Sequence, residues 1–129
     1  MEIATHRSIV QDLCGTPCEL GPGCSRVELT ADERMVADAS GLVHGGFVFN
    51  LADYAAMIAV NHPNTVLGSA DVRFIKPVRV GERLLAEATV DKRLEKKILV
   101  RVSVQREGEE VFSGMFTCFA PQRHVLEDT

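Results

Sequence analysis

The sequence predicts an α+β fold in which a curved antiparallel sheet of about five to six strands wraps around one long central helix. Two patterns and a size limit carry that reading. The segment from Gly46 to Asn61, GFVFNLADYAAMIAVN, is apolar nearly all round and rich in alanine, so as a helix it needs cover on more than one side. From there to Ala120 apolar residues recur at every second position, the period of strands. At 129 residues and 14.1 kDa the chain is expected to be a single domain over 1–129, and a strongly curved sheet around the helix supplies the cover it needs.

Taken in order, residues 1–23 are expected to be loosely structured. Cys24 to Leu29 alternate weakly as a strand, and a second short extended piece is expected from Arg34 to Ala37. The helix stops at Asn61-His62-Pro63, where proline blocks continuation. Long strands follow: Val72 and Phe74 share a face, then Leu84, Ala86, Ala88 and Val90, then Ile98, Val100, Val102 and Val104. Turn signals separate them at Lys76-Pro77 with Gly81, near Asp91 to Lys97, and at Glu107-Gly108-Glu109, a hairpin connection to a strand from Val111 to Ala120. No internal repeat, low-complexity tract or linker-like shift interrupts the chain.

Composition narrows the function classes. With 46% hydrophobic and 25% charged residues the chain can bury a core of ordinary size. A net charge of -4 and pI near 5.5 offer no basic face for a phosphate backbone, so nucleic acid is not an expected partner. The longest apolar stretch, Phe47 to Val60, is broken by Asn50, Asp53 and Tyr54 and is too short to span a bilayer. The N-terminal MEIATHRSIVQDLCG has no charged segment followed by an apolar one, so no secretory signal is read and a cytoplasmic location is expected. Cys14, Cys18 and Cys24 are separated by three and five residues, not the two of zinc knuckles, and Cys118 is distant; reduced thiols and no metal are expected.

Two segments carry chemistry. One is Asp38-Ala39-Ser40-Gly41-Leu42-Val43-His44-Gly45-Gly46 with Asp53 inside the following helix; the other is Val72-Arg73-Phe74-Ile75-Lys76-Pro77 with Gly81 and Glu82. Together they closely resemble the acyl-CoA thioesterases of the hot-dog superfamily, particularly the phenylacetyl-CoA type, over most of the chain. The resemblance implies the hot-dog fold, no cofactor beyond the CoA of the substrate, Asp53 as general base or nucleophile, and Gly45 as the amide donor.

The residues make the same case physically. Hydrolysing a thioester needs a donor for the developing oxyanion and a base for water, since the thiolate leaves readily. The first amides of a helix lack intrahelical partners, and glycine there lets a carbonyl approach; Gly46 makes room beside Gly45. A tight helix entry is the alternative use of both glycines. An acid two turns inside an apolar helix is costly unless it is paired or used, which marks Asp53. The eight residues from Gly45 to Asp53 span about 12 Å of helix, too far for both to touch one carbonyl carbon. Antiparallel helices about a twofold axis bring Gly45 of one subunit to Asp53 of the other, as in the family, so a homodimer is expected and a dimer of dimers is allowed.

Other positions are read around that pair. His44 positions the loop or contacts substrate. Asp38 stands where the phenylacetyl-CoA type has an asparagine that orients substrate or water; an anion there cannot donate, and close to Asp53 across the interface it would raise one of the two pKa values. Asn50 and Met57 share the helical face of Asp53 and, with Tyr54, are candidates for the acyl pocket, core packing being the alternative for Met57. Arg73, Lys76, Arg79 and Arg83 are spaced to meet CoA phosphates or to remain solvated surface charge. The activities compatible with these residues are hydrolysis of an acyl-CoA or acyl-carrier-protein thioester, or non-catalytic acyl-CoA binding, as in the ligand domain of fatty-acid-responsive regulators. A hot-dog hydratase would place a histidine five residues after the aspartate, where this chain has Ile58.

Overall fold

The computed structural model describes residues 1–128. A short helix α1 (Gln11–Cys14) leads into a hairpin of β1 (Thr16–Gly21) and β2 (Cys24–Thr30). A 3-10 turn at Glu33–Met35 precedes the long helix α2 (Gly45–Val60). Strands β3 (Val66–Phe74), β4 (Arg83–Arg93), β5 (Ile98–Arg106) and β6 (Glu109–Phe119) follow, and a 3-10 turn at Val125–Asp128 closes the described chain. All six strands form one antiparallel sheet in the order β1-β2-β4-β5-β6-β3. This is the α+β arrangement the sequence predicts.

The strand inventory differs from expectation in two places. Residues 1–23 are not uniformly loose, because Thr16–Gly21 pairs with β2 as an edge strand. Its Thr-Pro-Cys-Glu-Leu-Gly sequence has neither alternation nor a buried face, and pairing with β2 rather than burial makes it a strand; Pro17 is tolerated because an edge strand is bonded on one side only. Arg34 to Ala37 is not a strand: the 3-10 turn takes its first two residues, capped by the Asp32 carboxylate, which accepts from Arg34 N–H at 2.9 Å. Only Val36 makes a β-bridge, to Val43.

The core lies between α2 and the concave face of the sheet. Val27 and Leu29 of β2, Leu84, Ala86 and Ala88 of β4, Val100, Val102 and Val104 of β5, and Phe112, Phe116 and Cys118 of β6 are buried there. Ala52, Ala55, Ala56 and Ala59 are fully packed on the helix side, and their small side chains let the strands come close enough for Ser25 Oγ to donate to the Ala55 carbonyl at 2.7 Å. The helix ends at Asn61, in the left-handed conformation with φ 53°, its N–H bonded to Met57 O at 2.9 Å. The β5–β6 hairpin turns through Glu107 and Gly108, both at positive φ, as a two-residue turn requires. At the far edge β3 is paired only with β6; Phe74, at its end, and Ile75, just beyond, are 56% and 44% exposed.

Candidate active site

The start of α2 is fixed from both sides by backbone bonds. Ala37 N–H donates to Leu42 O at 2.8 Å and His44 N–H to Met35 O at 2.8 Å on one side. On the other, Val43 N–H donates to Val78 O and Val80 N–H to Gly41 O, both at 2.9 Å. The chain therefore enters the helix with His44 extended, at φ -65° and ψ 131°, and no side chain caps the first turn. The amides of Gly45 and Gly46 open the helix with its dipole behind them. A Cβ on Gly45 would lie 3.0 Å from the Phe74 ring, and one on Gly46 3.1 Å from the His44 ring. Glycine thus keeps a mostly apolar cleft of about 250 Å³ open against the Gly45 backbone, lined by Val43, Val48, Phe74, Pro77 and Val111 among others.

Asp53 sits two turns further on, half-buried, with neighbours on α2 that are almost all apolar. Its Oδ1 is buried and has no hydrogen-bond partner, and no ion pair involves Asp53 among the described residues. Burial alone pushes its pKa from 3.8 up to about 6. The thiols nearest in electrostatic terms respond to it. Burial first and the Asp53 charge second raise Cys14 above its ordinary value and push Cys118 to about 12, so both stay protonated at neutral pH and neither competes as a nucleophile.

The other expected site residues divide. Asn50 is half-buried on the Asp53 face, and His44 is exposed, edge-on to Phe47 at 6.1 Å. Tyr54 and Met57, at 2% and 0% exposure, are core residues and line no open pocket in the protomer, because the turn after Asp53 faces the sheet. Asp38 is an exposed turn residue in the protomer: the Ser40 hydroxyl and Ser40 N–H donate to it, and the hydroxyl above all holds its pKa below the ordinary value. The four cations do not converge. Lys76 Nζ donates to Glu109 at 2.8 Å and Arg83 pairs with Glu28 at 3.6 Å, while Arg73 and Arg79 are exposed. Among the described residues no three His, Cys, Asp or Glu side chains gather to hold a metal ion, and no helix is long and apolar enough to cross a membrane.

One feature escaped the sequence reading. Phe74 packs edge-on against Phe112 at 5.1 Å, and Phe49 lies 5.4 Å from Phe116 and 6.5 Å from Phe112. The rings run from the Gly45 cleft to the helix face of Asp53. The signal was available in Phe49, which precedes Asp53 by four residues and so shares its face.

Comparison with known proteins identifies the family. The family model of the thioesterase superfamily matches residues 40–113. The chain is 47% identical over 116 residues to a methylthioribose-1-phosphate isomerase of Aquifex aeolicus, covering 90% of this chain and 25% of that protein. It is 33% identical over 110 residues to the transcription factor FapR of Caldanaerobacter subterraneus, covering 84% of this chain and 54% of that one. It therefore spans between a quarter and about half of these curated relatives. Among solved structures, an uncharacterized Pyrococcus horikoshii protein superposes with TM-score 0.96 at 49% identity, covering 98% of this chain and 97% of that one. A mutant of the phenylacetic acid degradation protein PaaI of Thermus thermophilus superposes with TM-score 0.78 at 29% identity, covering 84% and 95%. A match over more than half its length, which includes the helix that carries Gly45 and Asp53, makes this chain a member of the thioesterase superfamily with the hot-dog fold.

Proposed function

We propose that the protein hydrolyses an acyl-CoA or acyl-carrier-protein thioester to the free acid and thiol, at a site shared between two protomers. The observation that carries this reading is the Asp53 carboxylate, buried without a partner inside an apolar helix and raised to a pKa of about 6 by desolvation. A structural ion pair would need a cation that is not found beside it among the described residues. A carboxylate of that pKa is ionised at neutral pH and still basic enough to take a proton.

In this scheme the thioester carbonyl oxygen rests on the Gly45 amide of one protomer and the Asp53 carboxylate belongs to the other. Asp53 removes a proton from water as its oxygen attacks the carbonyl carbon, and the oxyanion charge develops against Gly45 N–H and the helix dipole. Collapse expels the thiolate, which takes up a proton, and releases the acid. Attack by Asp53 itself, through an anhydride that water then opens, is the nucleophilic variant of the same geometry. The apolar cleft and the phenylalanine rings favour an apolar acyl group. Neither a metal nor a redox cofactor enters the scheme. The two protomers are expected to form a homodimer, alone or as a dimer of dimers, and light scattering at micromolar concentration that finds only monomer would remove the shared site.

Similarity to a transcription factor over 84% of the chain favours a second reading, a non-catalytic acyl-CoA-binding module. A thiol-release assay with a panel of acyl-CoAs, run beside calorimetric binding, separates the two. Hydrolysis abolished in Asp53→Asn supports the enzyme; binding without turnover in the unmutated protein supports the module.

A further inference from the structure

We propose that Arg106 is a positioning residue: through the loop between β3 and β4 it holds the amide end of α2 in register. Its catalytic consequence rests on the thioesterase reading; the clamp itself does not. Arg106 Nη1 donates to the Pro77 carbonyl at 2.8 Å and to Glu82 Oε1 at 3.1 Å, and Nη2 donates to Glu109 Oε1 at 2.7 Å. The same Glu82 oxygen accepts from Arg79 N–H at 2.6 Å, and the other Glu109 oxygen accepts from Lys76 Nζ at 2.8 Å. One guanidinium thus gathers both ends of the 76–82 loop onto the β5–β6 hairpin. Its side chain is 19% exposed, against 48% or more for every other ion-paired cation among the described residues, which separates it from the solvated pairs on the surface.

The loop it fixes is the one bonded to the helix entry. Val78 O receives Val43 N–H, Gly41 O receives Val80 N–H, and Leu42 bridges to Arg79, so the strip 41–43 is laid along 78–80 immediately before His44 and Gly45. Pro77, whose carbonyl Arg106 holds, also lines the cleft at Gly45. A shift of the loop is transmitted to the direction of the Gly45 N–H, and an oxyanion donor is sensitive to displacements of about 1 Å. Only a planar fork with donors aimed in two directions reaches all three acceptors, so lysine is not an equivalent.

The test compares unmutated protein, Arg106→Gln and Arg106→Lys by steady-state hydrolysis of an acyl-CoA and by amide hydrogen exchange at Val43 and Val80. We expect kcat to fall about 10- to 100-fold in Arg106→Gln with KM nearly unchanged, and exchange at both amides to quicken about tenfold or more. Arg106→Lys should recover thermal stability while leaving most of the kcat loss, a split that a merely structural role would not produce. A folded Arg106→Gln with unchanged kcat, or with unchanged exchange at Val43 and Val80, overturns the proposal. If the unmutated protein hydrolyses no acyl-CoA, the thioesterase reading falls, and exchange alone still decides the clamp. Should Arg106→Gln fail to fold, Glu82→Gln removes one arm and carries the same two measurements.

Discussion

The two halves of α2 are built from similar apolar residues and finished in opposite ways. The C-terminal half, Tyr54 to Val60, is buried at every position, and its end is tied down by Asn61, whose backbone closes on Met57 and whose side chain bonds Ala4 N–H at 2.7 Å and Glu2 O at 2.8 Å. The N-terminal half begins on two glycines without a side-chain cap, is only partly buried, and carries an unpartnered carboxylate. Helix ends leave backbone groups without intrahelical partners; here the far end is closed by Asn61, while at the Gly45 end Phe47 N–H reaches His44 O at 3.1 Å and no side chain caps the first turn. Under the proposed function, the difference is that the N-terminal half gives up local stability to keep a donor and a base available.

The largest effect that comparison predicts is at Asp53. Asp53→Asn keeps size and most hydrogen-bonding capacity but removes the charge, so hydrolysis should fall by roughly two to four orders of magnitude while acyl-CoA still binds. The same substitution should make the protein more stable. With the folded pKa near 6 and an ordinary value of 3.8, the native state binds more protons than the unfolded one between those values, so stability falls as pH rises through that window and the penalty is complete above it. About two pKa units correspond to a cost of up to about 3 kcal/mol, part of which Asn keeps as an unpaired polar group. Scanning calorimetry at pH 7.5 and fixed protein concentration should show a Tm gain of several degrees, about 5 °C, that vanishes near pH 4. The rate in unmutated protein should fall on the acid side with a midpoint near pH 6. Cys14 and Cys118, the thiols coupled to Asp53, stay protonated across this range and leave the profile to the carboxylate. A lowered Tm in Asp53→Asn would mean a stabilising partner and sink the comparison.

Gly45→Pro tests the other member of the pair and should cost about 10² to 10³ in kcat by deleting the amide donor. It is a clean change because Gly45 is the first helical residue, where proline is well tolerated, and His44 already has the extended backbone that precedes proline. A Cβ there would lie 3.0 Å from the ring of Phe74, an exposed side chain at the end of β3. Binding lost in proportion to kcat would assign Gly45 to ground-state contact instead of oxyanion stabilisation.

How much of this was legible beforehand follows from what each feature depends on. The helix, the period-two strands and the His44-Gly45-Gly46 to Asp53 spacing are local patterns, and the structure keeps each within a residue or two. Strand β1 was not legible because its pairing with β2, not its side chains, makes it a strand. Nor was the burial of Tyr54, which depends on how the helix is rotated against the sheet, whereas core packing was already one reading of Met57. The Arg106 clamp joins residues from two distant loops through a carbonyl oxygen and two carboxylates, and no spacing along the chain announces it. The ion pair of Lys76 was hidden for a related reason: its acid, Glu109, is contributed by another strand.

The smallest predicted effect belongs to the finished end of the helix. Asn61 occupies a left-handed conformation that asparagine tolerates better than alanine, and its side chain holds the segment at Glu2 and Ala4 against the helix terminus. Asn61→Ala should therefore cost on the order of 1 to 2 kcal/mol, from the backbone conformation and two exposed hydrogen bonds, and lower Tm by a few degrees. It lies eight residues beyond Asp53, about 12 Å of helix, with the fully packed turns of Ala55 to Ala59 between them. No hydrogen bond or ion pair of Asn61 among the described residues involves Asp53, and sites this far apart without a shared partner behave nearly independently. The kcat and KM of the folded variant should match the unmutated protein within about twofold, as expected for a surface substitution at a distance. A kcat loss of the size expected for Gly45→Pro would show that the two ends of α2 are not independent, and the division of the helix into a stable half and a chemical half would have to be given up.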